Sequence, residues 1–230
     1  MLDAYTRKAR LAPAVLAGLP ALVLLIAAAL KPTAESSQAA ALIAALTLLI
    51  CSVVRDRGRR IEPELWRAWG GPPTTARLRW LSPEETAATH SLHERVTATT
   101  GIALPDPPSE ANAPEQADRD YEHAVLVLRE RTRDTTAFPL VFAENAEYGF
   151  RRNLLGLRPL ALAGTAITLV ASIALIASGN PRYAAPAAVA LSAAAVWWRL
   201  IRPDWVRLAA ERYADRLLGA AVTLPALNAP

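Results

Sequence analysis

Apolar residues of this chain concentrate in two blocks, 12–54 and 159–201, and a polar block separates them. Each apolar block divides at a short polar turn, so the chain holds four apolar runs. A helix needs about 20 residues to cross roughly 30 Å of hydrocarbon. Two runs have that length, and the other two reach it when flanking arginine and tyrosine side chains extend to the interface. The runs are 12–30, 39–54, 159–178 and 183–198.

This pattern predicts an all-α integral membrane protein with two transmembrane hairpins, four helices in all, and a central helical cytoplasmic block. Two alternatives stay open. Alanine-rich runs can also form buried helical hairpins in a soluble core. The first run, with its basic start and small residues at 27–29, could be a cleaved signal peptide, although its length and the apolar run that follows favour a retained helix.

Basic residues flank the apolar runs on one side of the predicted membrane only. Clusters of arginine and lysine precede the first and third runs and follow the second and fourth, whereas the two hairpin turns carry only Lys31 with Glu35, and Arg182. The positive-inside rule therefore predicts a multi-pass chain with both termini and the middle block in the cytoplasm. The predicted segments are a cytoplasmic N-terminus 1–11, a first hairpin 12–54, a cytoplasmic helical domain 55–158, a second hairpin 159–201, and a cytoplasmic amphipathic helix and tail 202–230.

The middle block is predicted to be mostly helical. Ser82 followed by Pro83 and Glu85 predicts a capped helix start. A second helix over 115–133 places a stripe of Tyr121, Ala124, Val125 and Leu128 on one face, with a strand over 125–128 as the alternative. Between these two helices, the proline-rich stretch 104–115 predicts a loose connection.

Two stretches are dense in arginine and aromatic residues. The first, LWRAWGGPPTTARLRW at 65–80, can fold back on the lipid surface, or it can bind a planar anionic ligand through guanidinium and indole groups. The second, ENAEYGFRRNLLGLRP at 144–159, leads directly into the third run, where it is either a basic anchor or a coupling element. The candidate ligand-binding residues are Arg67, Arg77, Arg79, Arg151, Arg152, Trp66, Trp69 and Trp80.

The four apolar runs contain no Asp, Glu, Lys or His, which disfavours proton-coupled and ion-coupled transporters. Their hydroxyl groups can bond across helices or line a narrow pore. The candidate pore-lining residues are Thr47, Ser52, Thr165, Thr168 and Ser172.

No pattern predicts catalysis, a metal site or a cofactor. Cys51 lies in an apolar run with no histidine nearby, and no glycine-flanked serine elbow is present. His90 and His93, three residues apart, are too few for a metal site of ordinary composition. The sequence therefore favours a protein that is not an enzyme.

The stretches at 65–80 and 144–159 resemble a family of small bacterial membrane proteins with four helices, and most closely the membrane effector of Hailong-type anti-phage defence systems. The resemblance covers about half of the chain. It implies an ion-channel-like effector in the bacterial inner membrane, regulated by oligonucleotides that a partner nucleotidyltransferase makes. It carries over no site residue.

The resulting expectation is an oligomeric membrane pore in the lipid bilayer, regulated by an anionic ligand such as a nucleotide or oligonucleotide at the cytoplasmic domain. Four short helices make a small bundle, so a homo-oligomer would bury more of its surface. The alternative is a non-conducting membrane scaffold that docks a soluble partner protein.

Overall fold

A computed structural model describes residues 3–28, 37–80 and 86–227 of the chain, and side chains over 3–27, 51–80 and 87–227. The described residues are predominantly helical and include no strand, which confirms the all-α prediction. The residues 125–128, where a strand was the alternative, lie within a helix. The predicted cap at Ser82 lies outside the described residues.

Helices follow one another along the chain with short connections. The first three segments are continuous: α1 (Ala4–Thr6), a π-helical segment (Arg7–Leu11) and α2 (Ala12–Ala28). The remaining helices are α3 (Ser37–Trp69), α4 (Pro73–Ala76), α5 (Thr86–Thr100), α6 (Pro107–Asn112), α7 (Pro114–Arg131), α8 (Pro139–Ala177), α9 (Ala184–Arg199) and α10 (Pro203–Gly219), with 3-10 turns at Pro181–Tyr183 and Ala220–Val222.

Two helical segments of the described chain are long and apolar enough to cross a membrane, Ala4–Ala27 and Pro139–Ala177. The fourth predicted run forms α9, which qualifies only when joined to α10 across a bend of 62°. The second predicted run, 39–54, lies in the backbone of α3, but its side chains up to residue 50 are outside the described residues. Length and composition therefore give two spans, or three if the bent pair is one span, against the four that the sequence predicts.

The chain divides into two compact units. The first unit comprises Met1–Pro63 and Ala146–Val206, and the second comprises Glu64–Asn145 and Arg207–Pro230. The cytoplasmic segment predicted over 55–158 is thus shared, because its two ends belong to the first unit.

In the first unit, α2 packs against α9, and buried apolar side chains of α3, α8 and α9 form a core. Helices α3 and α8 approach closely where Gly58 and Gly156 remove side chains from the contact. A Cβ atom on Gly156 would stand 2.7 Å from the backbone carbonyl of Arg57. The core residues are Val54, Leu154, Leu157, Ala161, Trp197 and Ile201.

In the second unit, α7 contacts α4, α5 and α6. Its predicted stripe of Tyr121, Ala124, Val125 and Leu128 is buried, which confirms that prediction. The stretch expected to be a loose connection instead contains α6, because Asp106 caps it by accepting a hydrogen bond from the Ser109 amide at 2.9 Å.

The C-terminal helix also packs internally rather than lying open on one face. In the second unit, Ala209, Tyr213 and Leu217 of α10 are buried, whereas Leu208 is 50% exposed. The following 3-10 turn contacts α5, where the Thr99 hydroxyl donates to the Ala221 carbonyl at 3.2 Å.

Candidate functional site

The structure distributes the eight predicted ligand-binding residues over the two units. The six residues of the stretch 65–80 belong to the second unit, and Arg151 and Arg152 belong to the first. The predicted residues thus form one set in each unit.

A glycine turn joins α3 to α4 in the second unit. Gly70 and Gly71 have φ angles of +82° and +127°, a conformation that side chains disfavour. The Gly71 amide donates to the Trp66 carbonyl at 2.8 Å and closes the helix end. A Cβ atom on Gly71 would stand 3.0 Å from Arg79 Nη2, so the guanidinium would have to shift slightly.

Arg79 fastens this turn to α7. Its Nε donates to Asp118 Oδ1 at 2.7 Å and its Nη2 to Asp118 Oδ2 at 2.6 Å, a bidentate pair. Its Nη1 donates to the Gly70 carbonyl at 2.6 Å. The hydrogen bonds to Asp118 raise the pKa of Arg79 above its ordinary value. An anionic ligand at Arg79 would therefore have to displace an internal carboxylate.

Trp80 is an anchor of the same segment. Its indole Nε1 donates to the Pro105 carbonyl at 2.9 Å, and its amide donates to Glu110 Oε2 at 3.2 Å. The Tyr121 hydroxyl donates to the same Glu110 oxygen at 2.6 Å. Burial and this hydrogen bond raise the pKa of Tyr121 well above its ordinary value, so the hydroxyl keeps its proton. The polar group of Trp80 is thus already used inside the unit.

His93 lies between two of these aromatic rings, with its centroid 4.6 Å from Trp80 and 5.6 Å from Tyr121. Its Nε2 is 2.6 Å from the Leu78 carbonyl, which can only accept, so Nε2 carries the proton. Burial lowers the pKa of His93 below its ordinary value. His93 is therefore a buried histidine whose Nε2 is already hydrogen-bonded inside the unit.

The remaining predicted residues of this stretch are more accessible. Arg77 forms an exposed ion pair with Asp215 at 3.0 Å. Arg67 is exposed and has no ion pair among the described residues. Trp66 and Trp69 are half-buried. Arg67 and Arg77 are thus the guanidinium groups of the second unit's stretch that a ligand could reach with least rearrangement.

In the first unit, Arg151 forms hydrogen bonds with its own helix, α8, and with the backbone of α10. Its Nε donates to Glu147 Oε1 at 2.7 Å, and its Nη1 donates to the Trp205 carbonyl at 3.0 Å. The guanidinium also lies 4.6 Å from the Trp205 ring centroid, within the range of a cation–π contact. Lys8 pairs with the other oxygen of Glu147 at 2.9 Å.

Arg152 belongs to a buried network on Glu62. Arg152 Nη1 and the Tyr148 hydroxyl each donate to Glu62 Oε1 at 2.7 Å. The guanidinium stacks 5.5 Å from the Tyr148 ring centroid, and its Nη2 donates to Asn153 Oδ1 at 3.3 Å. The charge of Arg152 is compensated inside the unit, which indicates a structural role for a residue expected to bind ligand.

Asn153 joins the N-terminal helical segment to α8. Its side chain is 1% exposed, and its Nδ2 donates to the Ala9 carbonyl at 2.6 Å. A Cβ atom on Gly58 of α3 would meet Asn153 Oδ1, so this glycine makes room for the amide. Ala9, Gly58 and Asn153 form what we call the three-helix junction. Sequence reasoning missed it, and the available signal was the uncharged polar Asn153 directly after two arginines.

Three of the five candidate pore-lining residues share one buried face of α8. Thr165, Thr168 and Ser172 are 1%, 2% and 0% exposed, and we call them the hydroxyl stripe. The Ser172 hydroxyl donates to the Thr168 carbonyl at 2.7 Å. The Thr165 hydroxyl has no hydrogen-bond partner among the described residues. The side chain of Thr47 is outside the described residues, and Ser52 is exposed.

The opposite face of α8 is apolar and open. Ile167, Val170 and Ile173 are 71%, 68% and 55% exposed. A helix in water normally buries such residues and exposes its hydroxyl groups. The reversed arrangement suits a helix whose outer face meets lipid.

Among the described residues, no group of three or more His, Cys, Asp or Glu side chains could hold a metal ion. No protein-family model, curated protein or solved structure matches the chain.

Proposed function

We propose that this chain is a multi-pass protein of the bacterial inner membrane that assembles into an oligomeric pore regulated by an anionic ligand. In this proposal all four apolar runs cross the bilayer, and both termini and the residues 55–158 lie in the cytoplasm. The ligand is a nucleotide or oligonucleotide, supplied by a partner nucleotidyltransferase in anti-phage defence, as the resemblance implies.

The observation that carries the proposal is the reversed polarity of α8. The hydroxyl stripe is buried, while the isoleucine and valine face opposite to it is exposed. Hydroxyl groups on the inner face of a membrane helix can line a narrow water path without the desolvation cost of a charge. In the described arrangement the stripe is closed to solvent, so conduction requires α8 to move or rotate away from its neighbours.

Ligand binding is proposed at the guanidinium groups that remain accessible. Arg79, Arg151 and Arg152 form ion pairs with carboxylates of their own unit. In contrast, Arg67 is exposed, and Arg77 has only a solvent-exposed ion pair. Exposed ion pairs are weak, about 0–1 kcal/mol, so a phosphate can compete with Asp215 for Arg77. Trp66 and Trp69, half-buried beside Arg67, offer ring surface for a base.

Conductance of the purified full chain in planar bilayers tests the proposal. We expect ligand-dependent channel currents with short oligonucleotides, and a reduced single-channel current for Thr168→Val, which keeps the shape of the side chain and removes its hydroxyl group. Ile167→Val, on the exposed face of the same helix, is the control and should conduct like the wild type. A monomeric protein that conducts with none of the oligonucleotides would contradict the pore.

One observation favours the alternative, a non-conducting membrane scaffold for a soluble partner. The Ser172 hydroxyl is already bonded within its own helix, and the three side chains of the stripe are closed to solvent. Such hydroxyl groups are then packing elements between helices. A partner that co-purifies in equal amount with a monomeric chain, together with normal function of Thr168→Val, would favour the scaffold.

A further inference from the structure

An apolar groove of about 350 Å³ opens in the first unit between α2, α3 and α8. Its wall from α2 is made of small side chains, so the groove owes its depth to alanine and glycine. A Cβ atom on Gly18 would meet no atom within 4 Å, which leaves open space at the centre of this wall. The lining residues are Ala14, Ala17, Gly18, Val53, Val54, Leu157, Leu160 and Ala161.

The three-helix junction marks one end of the groove. The Asn153 amide bonds the Ala9 carbonyl one helical turn before the groove residues Ala14 and Leu157 on the same helices. On α3, Gly58 follows Val54 by one turn. The apolar groove therefore begins next to a buried polar contact. A phospholipid has the same order, because its polar headgroup is followed by an apolar acyl chain.

Two arginines adjoin the junction at that end. Arg10 follows Ala9 and Arg57 precedes Gly58, and both are half-buried. Neither has an ion pair with any described residue, in contrast to Arg79, Arg151 and Arg152. Arg158, between the groove residues Leu157 and Leu160, has a buried Nε without a hydrogen-bond partner among the described residues.

The shape of the groove and the charge at its end both suit an anionic phospholipid. An acyl chain fits a narrow apolar groove, and guanidinium groups without carboxylates pair with a phosphate. By the charge pattern of the chain, this end of the groove faces the cytoplasmic leaflet, whose anionic lipids attract basic side chains. We propose that the groove binds one acyl chain of an anionic phospholipid, with its phosphate held by Arg10 and Arg57.

This inference rests on the membrane placement in the proposed function but not on conduction. A lipid in the groove would fill the space between α2 and α8 at the level of Gly18. The bound lipid would therefore stabilise the first unit through a specific contact, in addition to the general effect of the surrounding bilayer.

Native mass spectrometry of the full chain, delipidated in detergent and titrated with dioleoylphosphatidylglycerol or dioleoylphosphatidylcholine, tests the proposal. We expect one phosphatidylglycerol per chain to bind preferentially. Arg57→Gln should weaken phosphatidylglycerol binding about fivefold, because a basic side chain at an anionic surface contributes about 1 kcal/mol. Arg59→Gln, an exposed arginine on the same helix, is the matched control.

Filling the groove gives a second, independent test. Gly18→Leu places a side chain into open space and should weaken binding of both lipids, while the chain still folds. Ala166→Leu places the same side chain at an exposed position of α8 that does not line the groove, so binding should be unchanged. Soluble glycerol 1-phosphate, which has the headgroup chemistry without an acyl chain, should not displace the lipid.

Three results would overturn the inference: wild-type lipid binding by Gly18→Leu, equal losses in Arg57→Gln and Arg59→Gln, or displacement by glycerol 1-phosphate. Conductance separates the two proposals. If the wild type conducts normally and Gly18→Leu binds lipid like the wild type, only the lipid-binding proposal is contradicted. The expected lipid binding without any current removes the pore alone.

Discussion

Replacing Gly156 with alanine should strongly destabilise the first unit. The new Cβ atom would stand 2.7 Å from the carbonyl carbon and oxygen of Arg57 and 2.8 Å from the Gly58 amide nitrogen. These are backbone atoms, so relief requires α3 and α8 to move apart. Overpacking of this kind costs about 1–3 kcal/mol. The measurement is the apparent melting temperature of the full chain in detergent.

Gly164→Ala is the matched control because Gly164 lies on the same helix, and a Cβ atom there would have no neighbouring atom within 4 Å. Alanine is favoured over glycine in helices by about 0.8–1.0 kcal/mol, so this variant should melt at the same or a higher temperature. Equal melting temperatures for Gly156→Ala and the wild type would show that α3 and α8 do not meet at this glycine.

Replacing Arg152 with glutamine should destabilise the first unit at least as much. The side chains of Arg152 and Glu62 are only 11% and 16% exposed, and the variant leaves the Glu62 carboxylate with the Tyr148 hydroxyl as a remaining donor. Removing one partner of a buried ion pair typically costs about 3–5 kcal/mol. Denaturant unfolding of the full chain in mixed micelles measures the loss.

The double variant Arg152→Gln with Glu62→Gln tests whether the two charged side chains stabilise the unit by pairing with each other. It removes both charges and leaves amide groups that can still bond each other and the Tyr148 hydroxyl, so it should recover much of the stability lost in the single variant. A loss in the double variant equal to the sum of the losses in Arg152→Gln and Glu62→Gln would mean that the two residues do not interact. Arg133→Gln, whose ion pair with Glu130 is fully on the surface, should have little effect and controls for loss of an arginine.

The helices were predictable because they depend on local patterns. The stripe of Tyr121, Val125 and Leu128 repeats at helical spacing, and it is buried in α7 as expected. The short helix α6 was not predicted, because prolines mark both a connection and a helix start. Only the position of Asp106 before Pro107 distinguishes the two, since it supplies the cap.

The candidate ligand site shows where sequence reasoning stops. The stretches 65–80 and 144–159 show their arginines, but not the partners of these arginines. Asp118, which binds Arg79, is 39 residues away, and Glu62, which binds Arg152, is 90 residues away. Pairing over such distances depends on the tertiary fold. A dense cluster of arginine therefore could not be separated into groups that hold the fold and groups that stay accessible, such as Arg67.

The sequence was sufficient to predict which residues form the hydroxyl stripe, but not that these residues are buried. Thr165, Thr168 and Ser172 were recognisable as the polar residues of an apolar run, and their spacing places them on one helical face. The pattern does not tell whether that face meets water or other helices. Whether it lines a pore stays a prediction.

The claim on which the whole account depends is that the chain crosses the membrane with its arginine-rich side in the cytoplasm. Labelling with a membrane-impermeant maleimide on intact spheroplasts tests it, in a Cys51→Ser background that carries either Ser178→Cys or Thr135→Cys. Both positions are exposed, one at the turn after α8 and one in the second unit. We expect Ser178→Cys to be labelled on intact cells and Thr135→Cys only after permeabilisation; labelling of Thr135→Cys on intact cells would contradict the account.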